Sequence, residues 1–186
     1  MSEQVKRERF ERLVLPHMDA AYSLACWLTH NDARAEEAVQ EAFLRAFRFF
    51  GSFRGENARP WLLGIVRNSC YTLLERDRVA GVPDEFDESS HGEEIVAPGA
   101  IVSFPVNPET AAIENADRQR VQQCLQALPT EYREVLILRE MQDCSYKEIA
   151  AIAGIPIGTV MSRLARGRRL LQGALNGNAR RKDTGT

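Results

Sequence analysis

An all-α protein of two small helical domains, joined by an acidic flexible linker, is predicted by three features of the sequence. Apolar residues recur at three- and four-residue steps before residue 80 and again after about Pro108. Between them, residues 80–112 are rich in acids and prolines and keep no period. Charge divides along similar lines: residues 1–79 carry 12 basic and 11 acidic groups, 80–117 carry none and 9, and 118–186 carry 12 and 6. The net charge of −2 over 186 residues thus conceals a neutral head, an acidic middle and a basic end, an asymmetry that points toward nucleic acid.

The first domain spans 5–79. Phe10, Val14, His17, Ala21, Leu24 and Leu28 form one face of a long helix. Asn31 and Asp32 offer caps for a second helix through about Phe50, with Ala35, Val39, Ala42, Ala46 and Phe49 inward. Its other side carries Glu37, Gln40, Glu41, Arg45 and Arg48. The segment GSFRGENAR breaks the pattern, and Pro60 suits the first turn of a third helix with Leu62, Ile65, Val66, Ser69 and Leu73 inward. Three such amphipathic helices bury a shared core.

The second domain spans 113–175. Ile113, Val121, Leu125 and Leu128 support one helix, Pro129 marks a break, and Val135, Leu136 and Leu138 carry the next to about Met141. SYKEIAAIAGIPIGTVMSRLARGRRLL then reads as a helix-turn-helix. Ser145 and Glu148 make a capping box, with Tyr146, Ile149, Ala150 and Ala153 inward. Gly154 stops that helix, Ile155 and Pro156 turn, and the second helix buries Ile157, Val160, Leu164, Gly167 and Leu171. Thr159, Ser162, Arg163, Arg166 and Arg169 occupy its other side, with Arg168 flanking, and these suit base edges and phosphates in a major groove. A basic C-terminal helix alone reads as a solvated face; the cap, the turn glycine and the inward stripe favour DNA reading. The trailing 176–186, with Arg180, Arg181 and Lys182, reads as a basic, frayed tail.

Several classes are excluded. The longest uncharged stretches are 14 residues, broken by Gly and Pro, against the roughly 20 that a membrane helix needs, so no membrane insertion is expected. MSEQVKRERFER lacks the apolar core of a signal peptide, which predicts a cytoplasmic protein. Cys26, Cys70, Cys124 and Cys144 are too scattered for a disulfide frame or zinc knot and read as buried reduced thiols. His17, His30 and His91 have no partner at metal or nucleophile spacing, and neither GxxxxGK[ST] nor GxGxxG occurs. No catalytic residue, metal or cofactor is predicted; the chain reads as non-catalytic.

The motifs AVQEAFLRAFRFFGSFRGE and WLLGIVRNSCYTLL, followed by LPTEYREVLILRE and the helix-turn-helix, resemble the sigma-70 family of bacterial RNA polymerase sigma factors, in its small extracytoplasmic-function (ECF) group. The resemblance covers about 10–79 and 113–175, as regions 2 and 4, with no room for a domain between them. It implies a subunit that binds core polymerase and directs promoter-specific initiation at −10 and −35 elements.

It also implies roles. Glu36, Glu37, Gln40, Glu41, Phe43, Leu44 and Arg45 resemble the segment that docks on the clamp of the largest subunit. Family members commonly have Asp-Leu where this chain has Glu37 and Ala38. Phe53, Arg54, Asn57, Trp61, Arg67, Asn68 and Tyr71 match the part that opens the −10 element, where aromatic faces and cations catch unstacked bases. Trp61 reads equally as a core residue. Thr159, Ser162, Arg163 and Arg166, with Arg168 and Arg169 beyond, fall on the −35 recognition helix, where Met161 replaces a frequent basic residue. Ser145, Tyr146 and Lys147 open the supporting helix, where amides and lysine hold phosphate. The acidic linker either mimics nucleic acid in a basic channel or keeps a tether soluble. Further implied partners are the flap of the second-largest subunit and a cognate anti-sigma factor. Two other readings stay open on the residues alone: an autonomous helix-turn-helix regulator and an all-α protein-binding adaptor.

Overall fold

The computed structural model describes residues 3–55, 57–81 and 119–183, with side chains through 177. The acidic linker, Ile113, His91 and the side chains of Arg180, Arg181 and Lys182 lie outside the described residues. Helices α1 (Glu3–Leu13), α2 (Met18–Thr29), α3 (Asp32–Phe49) and α4 (Ala58–Val79) precede α5 (119–126), α6 (Thr130–Leu136), α7 (Tyr146–Ala153) and α8 (Ile157–Asp183). No strand occurs among the described residues.

The first predicted helix is divided. Pro16 lacks an N–H, and Leu15–His17 forms a 3-10 turn that separates α1 from α2. Phe10, Val14, Ala21, Leu24 and Leu28 are nonetheless all buried, because the turn keeps them on one side. Helix α3 starts as expected, with the Asn31 side chain accepting from the Arg34 amide 2.9 Å away. Its far end departs from expectation: Phe49 is 56% exposed, while Phe50, one residue on, is fully buried. The helix gives way to a 3-10 turn at Phe50–Ser52, which swings that ring inward.

Phe50 is the hub of an aromatic cluster. Phe10 meets it edge-on at 5.3 Å between ring centroids, Phe53 stacks at 5.9 Å and Trp61 tilts at 6.2 Å. Phe50→Ala is expected to cost about 3–5 kcal/mol, against less than about 0.5 kcal/mol for Phe49→Ala, read from urea unfolding midpoints. Equal losses for the two would contradict this packing.

In the second half, Arg133 is buried and ties the end of α5 to α6, donating to the Gln126 carbonyl at 2.8 Å. Burial draws its pKa down. Val121, expected inward, is 40% exposed, and Cys124 takes the buried position. After Leu136 the chain continues as a π-helical turn, Ile137–Met141, in which the Gln142 amide donates to the Ile137 carbonyl at 3.0 Å. Helix α8 runs on to Asp183, past residue 175 where the apolar pattern closes the domain.

Cys26, Cys70, Cys124 and Cys144 are buried, reduced thiols. Burial raises Cys26 and Cys144 to about 11 and Cys70 to about 12. Native protein at pH 8 should therefore leave these three unreactive toward a thiol reagent, and denaturant should release them. Because folding raises these pKa values above the usual 9, the stability tied to the neutral thiols is present below pH 9 and is lost as pH climbs toward 11–12.

Candidate polymerase and promoter interfaces

The clamp-facing candidates lie on one side of α3. Ala35, Ala38, Ala42 and Ala46 are buried, so small residues let α3 sit close to its neighbours. The Ala38 that replaces the family's usual leucine is one of them. Outward stand Glu36, Glu37, Gln40, Glu41 and Leu44, with Phe43 and Arg45 half-buried. Arg45 pairs with Glu41 at 2.6 Å, and Glu37 accepts from Arg76 of α4 at 2.8 Å. Leu44 is 69% exposed in the middle of this charged surface. A single exposed leucine is ordinary on a protein surface, so it is its place among the docking candidates of α3, and not its exposure, that singles Leu44 out.

The −10 candidates are scattered by depth. Phe53 corrects the expectation: it is buried, with its ring 4.8 Å from Trp61, and offers no open face to a base. Trp61 is half-buried in the same cluster. Arg54, Asn57 and Asn68 are exposed. Asn57 caps α4 by accepting from the Arg59 amide at 3.1 Å, and its side-chain amide donates to Glu148 at 3.3 Å. Arg67 lies over the Tyr71 ring, 4.6 Å from its centroid, and forms an ion pair with Glu134 of α6. Burial, with the Glu134 carboxylate nearby, pushes the Tyr71 hydroxyl up to about 12. Two further groups on this surface have no sequence signal of their own. Arg59 donates to the Gln142 carbonyl and, at 2.8 Å, to its side-chain oxygen, and Glu134 is buried on the second domain.

The helix-turn-helix forms as its sequence requires. Ser145 accepts from the Glu148 amide at 3.3 Å while Glu148 accepts from the Ser145 amide at 2.7 Å. Gly154 ends α7 at φ 67°, a left-handed conformation that suits glycine. Val160, Leu164 and Gly167 are buried. A Cβ at Gly167 would lie 3.1 Å from Leu136 and 3.3 Å from Tyr132, so the glycine is what lets α8 cross α6 closely. Ile157, expected inward, is 45% exposed at the start of α8.

Outward from that core, Ser162, Arg166 and Arg169 are exposed and Thr159 and Arg163 half-buried. The Arg166 guanidinium carbon lies over the Tyr132 ring, 5.8 Å from its centroid, on the exposed side of α8. Arg168 points elsewhere, held by Glu140 at 2.7 Å. Ser145 and Lys147 are exposed and Tyr146 half-buried, with Arg139 5.5 Å from its ring centroid. Met161 is exposed between the polar groups.

Comparison with known proteins identifies this arrangement. Residues 13–79 match the family model for sigma-70 region 2, and 118–171 match that for sigma-70 region 4. The RNA polymerase sigma-H factor of Pseudomonas aeruginosa is 33% identical over 171 residues, covering 91% of this chain and 87% of that protein. The chain belongs to the ECF group of sigma-70 family sigma factors. The ECF RNA polymerase sigma-E factor of Escherichia coli is 36% identical over 138 residues, covering 73% of this chain and 70% of that one. A solved relative, the sigma factor RpoE in complex with the anti-sigma factor NepR from Bartonella quintana, superimposes with a TM-score of 0.67 at 28% identity, covering 91% of this chain and 98% of that one. The region 2 match takes in α2 to α4 and the region 4 match takes in α5 to α7 with α8 through residue 171, and the function of this sigma factor is to direct polymerase to promoters.

No group of three or more His, Cys, Asp or Glu side chains that could hold a metal ion is found among the described residues, and no single described helix is long and apolar enough to cross a membrane.

Proposed function

We propose that this sigma factor divides its work between three surfaces. The α3 face around Leu44 docks on the clamp of the largest polymerase subunit. Groups of α4 and the turn before it, namely the exposed Arg54, Asn57 and Asn68 with the half-buried Arg67 and Tyr71, engage the opened −10 element. The N-terminal half of α8, through Thr159, Ser162, Arg163 and Arg166, reads the −35 element, with Ser145, Tyr146 and Lys147 on flanking phosphates. Region 4 meets the flap of the second-largest subunit on a surface outside that helix.

The observation that carries this reading is the recognition helix itself. Val160, Leu164 and Gly167 fix it against α6, so a fully formed helix offers hydroxyls and guanidiniums at its open end. Such groups match base edges and phosphates in a major groove. Met161 among them suits a thymine methyl, where a basic residue would seek phosphate.

Phosphodiester chemistry stays with the core enzyme; the sigma factor binds, positions and needs no cofactor. It works in the bacterial cytoplasm and answers to a cognate anti-sigma factor, a partner supported by the NepR complex of its solved relative. A gel shift tests the division of labour: labelled promoter DNA should be retained by core polymerase plus this chain, and only weakly by the chain alone. Tight duplex binding by the chain alone, with no gain from core polymerase, would favour an autonomous regulator instead.

A further inference from the structure

The outward side of α8 carries a restricted set of chemical groups. From Ile157 to Arg169, the stretch that can enter a major groove, there is no Asp, Glu, Asn or Gln, and the first amide, Gln172, lies about four turns along the helix. Its polar side chains are arginines and the hydroxyls of Thr159 and Ser162. Ser162 donates its own hydroxyl to the Thr159 carbonyl at 3.0 Å, so toward DNA it offers lone pairs alone. Arg168 is taken up by Glu140 at 2.7 Å. Beside these groups Ile157 and Met161, one turn apart on the same face, are both exposed, and Ala165 continues that side. A Cβ added at Gly158, next to them, would meet no described atom within 4 Å, so the surface is open there.

The major groove limits what such a set can read. Arginine meets the two acceptors of guanine as a bidentate pair, and that identifies a G·C pair. Adenine is identified by the amide of Asn or Gln, and the cytosine amine by a carboxylate; this stretch has neither group. Hydroxyl lone pairs accept from adenine and cytosine amines alike, so they do not tell the two apart. What remains to mark an A·T pair is the group that only thymine shows in the groove, its C5 methyl, and the matching surface is apolar. Ala165 is short, Thr159 is half-buried and Ile157 stands at the very start of the helix. Met161 is the long, unbranched side chain among them, with the rotatable bonds to follow a methyl across the groove.

We propose that this chain recognises A·T pairs of its −35 element through thymine methyls, and that Met161 is the residue that decides this preference. Arg163 and Arg166 serve guanine or phosphate on the polar side of the same helix, while Met161 covers the methyl on its apolar side. This rests on the assignment of α8 to the −35 element, and adds to it which base pair is read and by which atoms.

Deoxyuridine tests the proposal, because it pairs as thymine does and lacks only the methyl. Core polymerase with the full-length chain is bound to duplexes of a promoter recovered by run-off transcription, with the −35 thymines intact or replaced by deoxyuridine. Replacement should weaken binding at least about fourfold, the value of one methyl group taken out of water. Met161→Ala should bind the two duplexes equally. Met161 is exposed, so this variant should fold as wild type does. Equal binding of both duplexes by wild type, the result that readout of duplex shape would give, overturns the proposal. So does a preference for thymine that survives in Met161→Ala, or a −35 element without A·T pairs. A duplex with a scrambled −35 element separates this from the underlying assignment. If scrambling leaves wild-type binding unchanged, α8 does not read the element and the proposal falls with that assignment. If scrambling weakens binding while deoxyuridine does not, the role of Met161 alone is removed.

Discussion

Replacing Arg163 and Arg166 together with alanine should lower transcription from a −35-dependent promoter at least about 30-fold and leave core polymerase binding within about twofold. A well-placed arginine on a base or phosphate is worth roughly 1–3 kcal/mol, so removing two gives at least about 2 kcal/mol, or about 30-fold. The salt dependence of promoter binding should also flatten, because every phosphate that is no longer neutralised takes about one unit from the slope. Neither side chain belongs to the buried set that holds α8 on α6, so the helix should stay in place. Arg166 meets the Tyr132 ring on a partly open surface, and removing that interaction should cost less than about 1 kcal/mol. Failure of this double variant to bind polymerase would mean that the recognition helix also serves as a docking surface.

Leu44→Asp should do the reverse. Leu44 is 69% exposed and supports nothing in the fold, so the unfolding midpoint should scarcely move. Binding to core polymerase should weaken by about 30- to 1000-fold, the 2–4 kcal/mol expected when a central apolar anchor is replaced by a charge. Transcription from every promoter should fall together, whatever its −35 sequence, since the defect precedes DNA. Replacing Glu41 with Gln is the milder comparison: its pair with Arg45 is solvent-exposed, so the change should cost less than about 1 kcal/mol. A Leu44→Asp protein that binds core polymerase normally would remove α3 from the docking surface.

The two surfaces are legible in the sequence for different reasons. The recognition helix is readable because local rules suffice: a capping box, a left-handed glycine and an apolar stripe each leave a signature within a few residues. The structure bears all three, at Ser145 with Glu148, at Gly154, and at Val160 with Leu164. The α3 surface is readable only by resemblance, since a mixed-charge helix face looks like any solvated one. What periodicity misplaces lies at element ends. Pro16 splits α1 from α2 without disturbing the buried stripe, so the apolar pattern carries straight across the break. Phe49 and Phe50 exchange inside and outside where α3 gives way to a 3-10 turn, so that the helical spacing of the apolar stripe no longer applies. Residue type directs Phe53 toward bases, yet its ring completes the Phe50 and Trp61 cluster.

The inter-region contact cannot be read from the sequence at all. Arg67 and Glu134 are far apart along the chain, and no local pattern distinguishes a cation awaiting phosphate from one already paired. Arg59 has the pattern of an ordinary first-turn arginine beside Pro60. Its partner Gln142 sits where a π-helical turn ends, a local departure from the regular helix that apolar spacing does not forecast.

As a member of this family, the chain gives core polymerase its choice of promoter. Run-off transcription by purified core bacterial RNA polymerase on a fragmented genomic library, with and without the chain, tests that most directly. Discrete transcripts should appear only when the chain is added, with start sites preceded at fixed spacing by two shared sequence elements. A well-folded chain that adds no transcripts, and leaves the core enzyme as unselective as before, would contradict it.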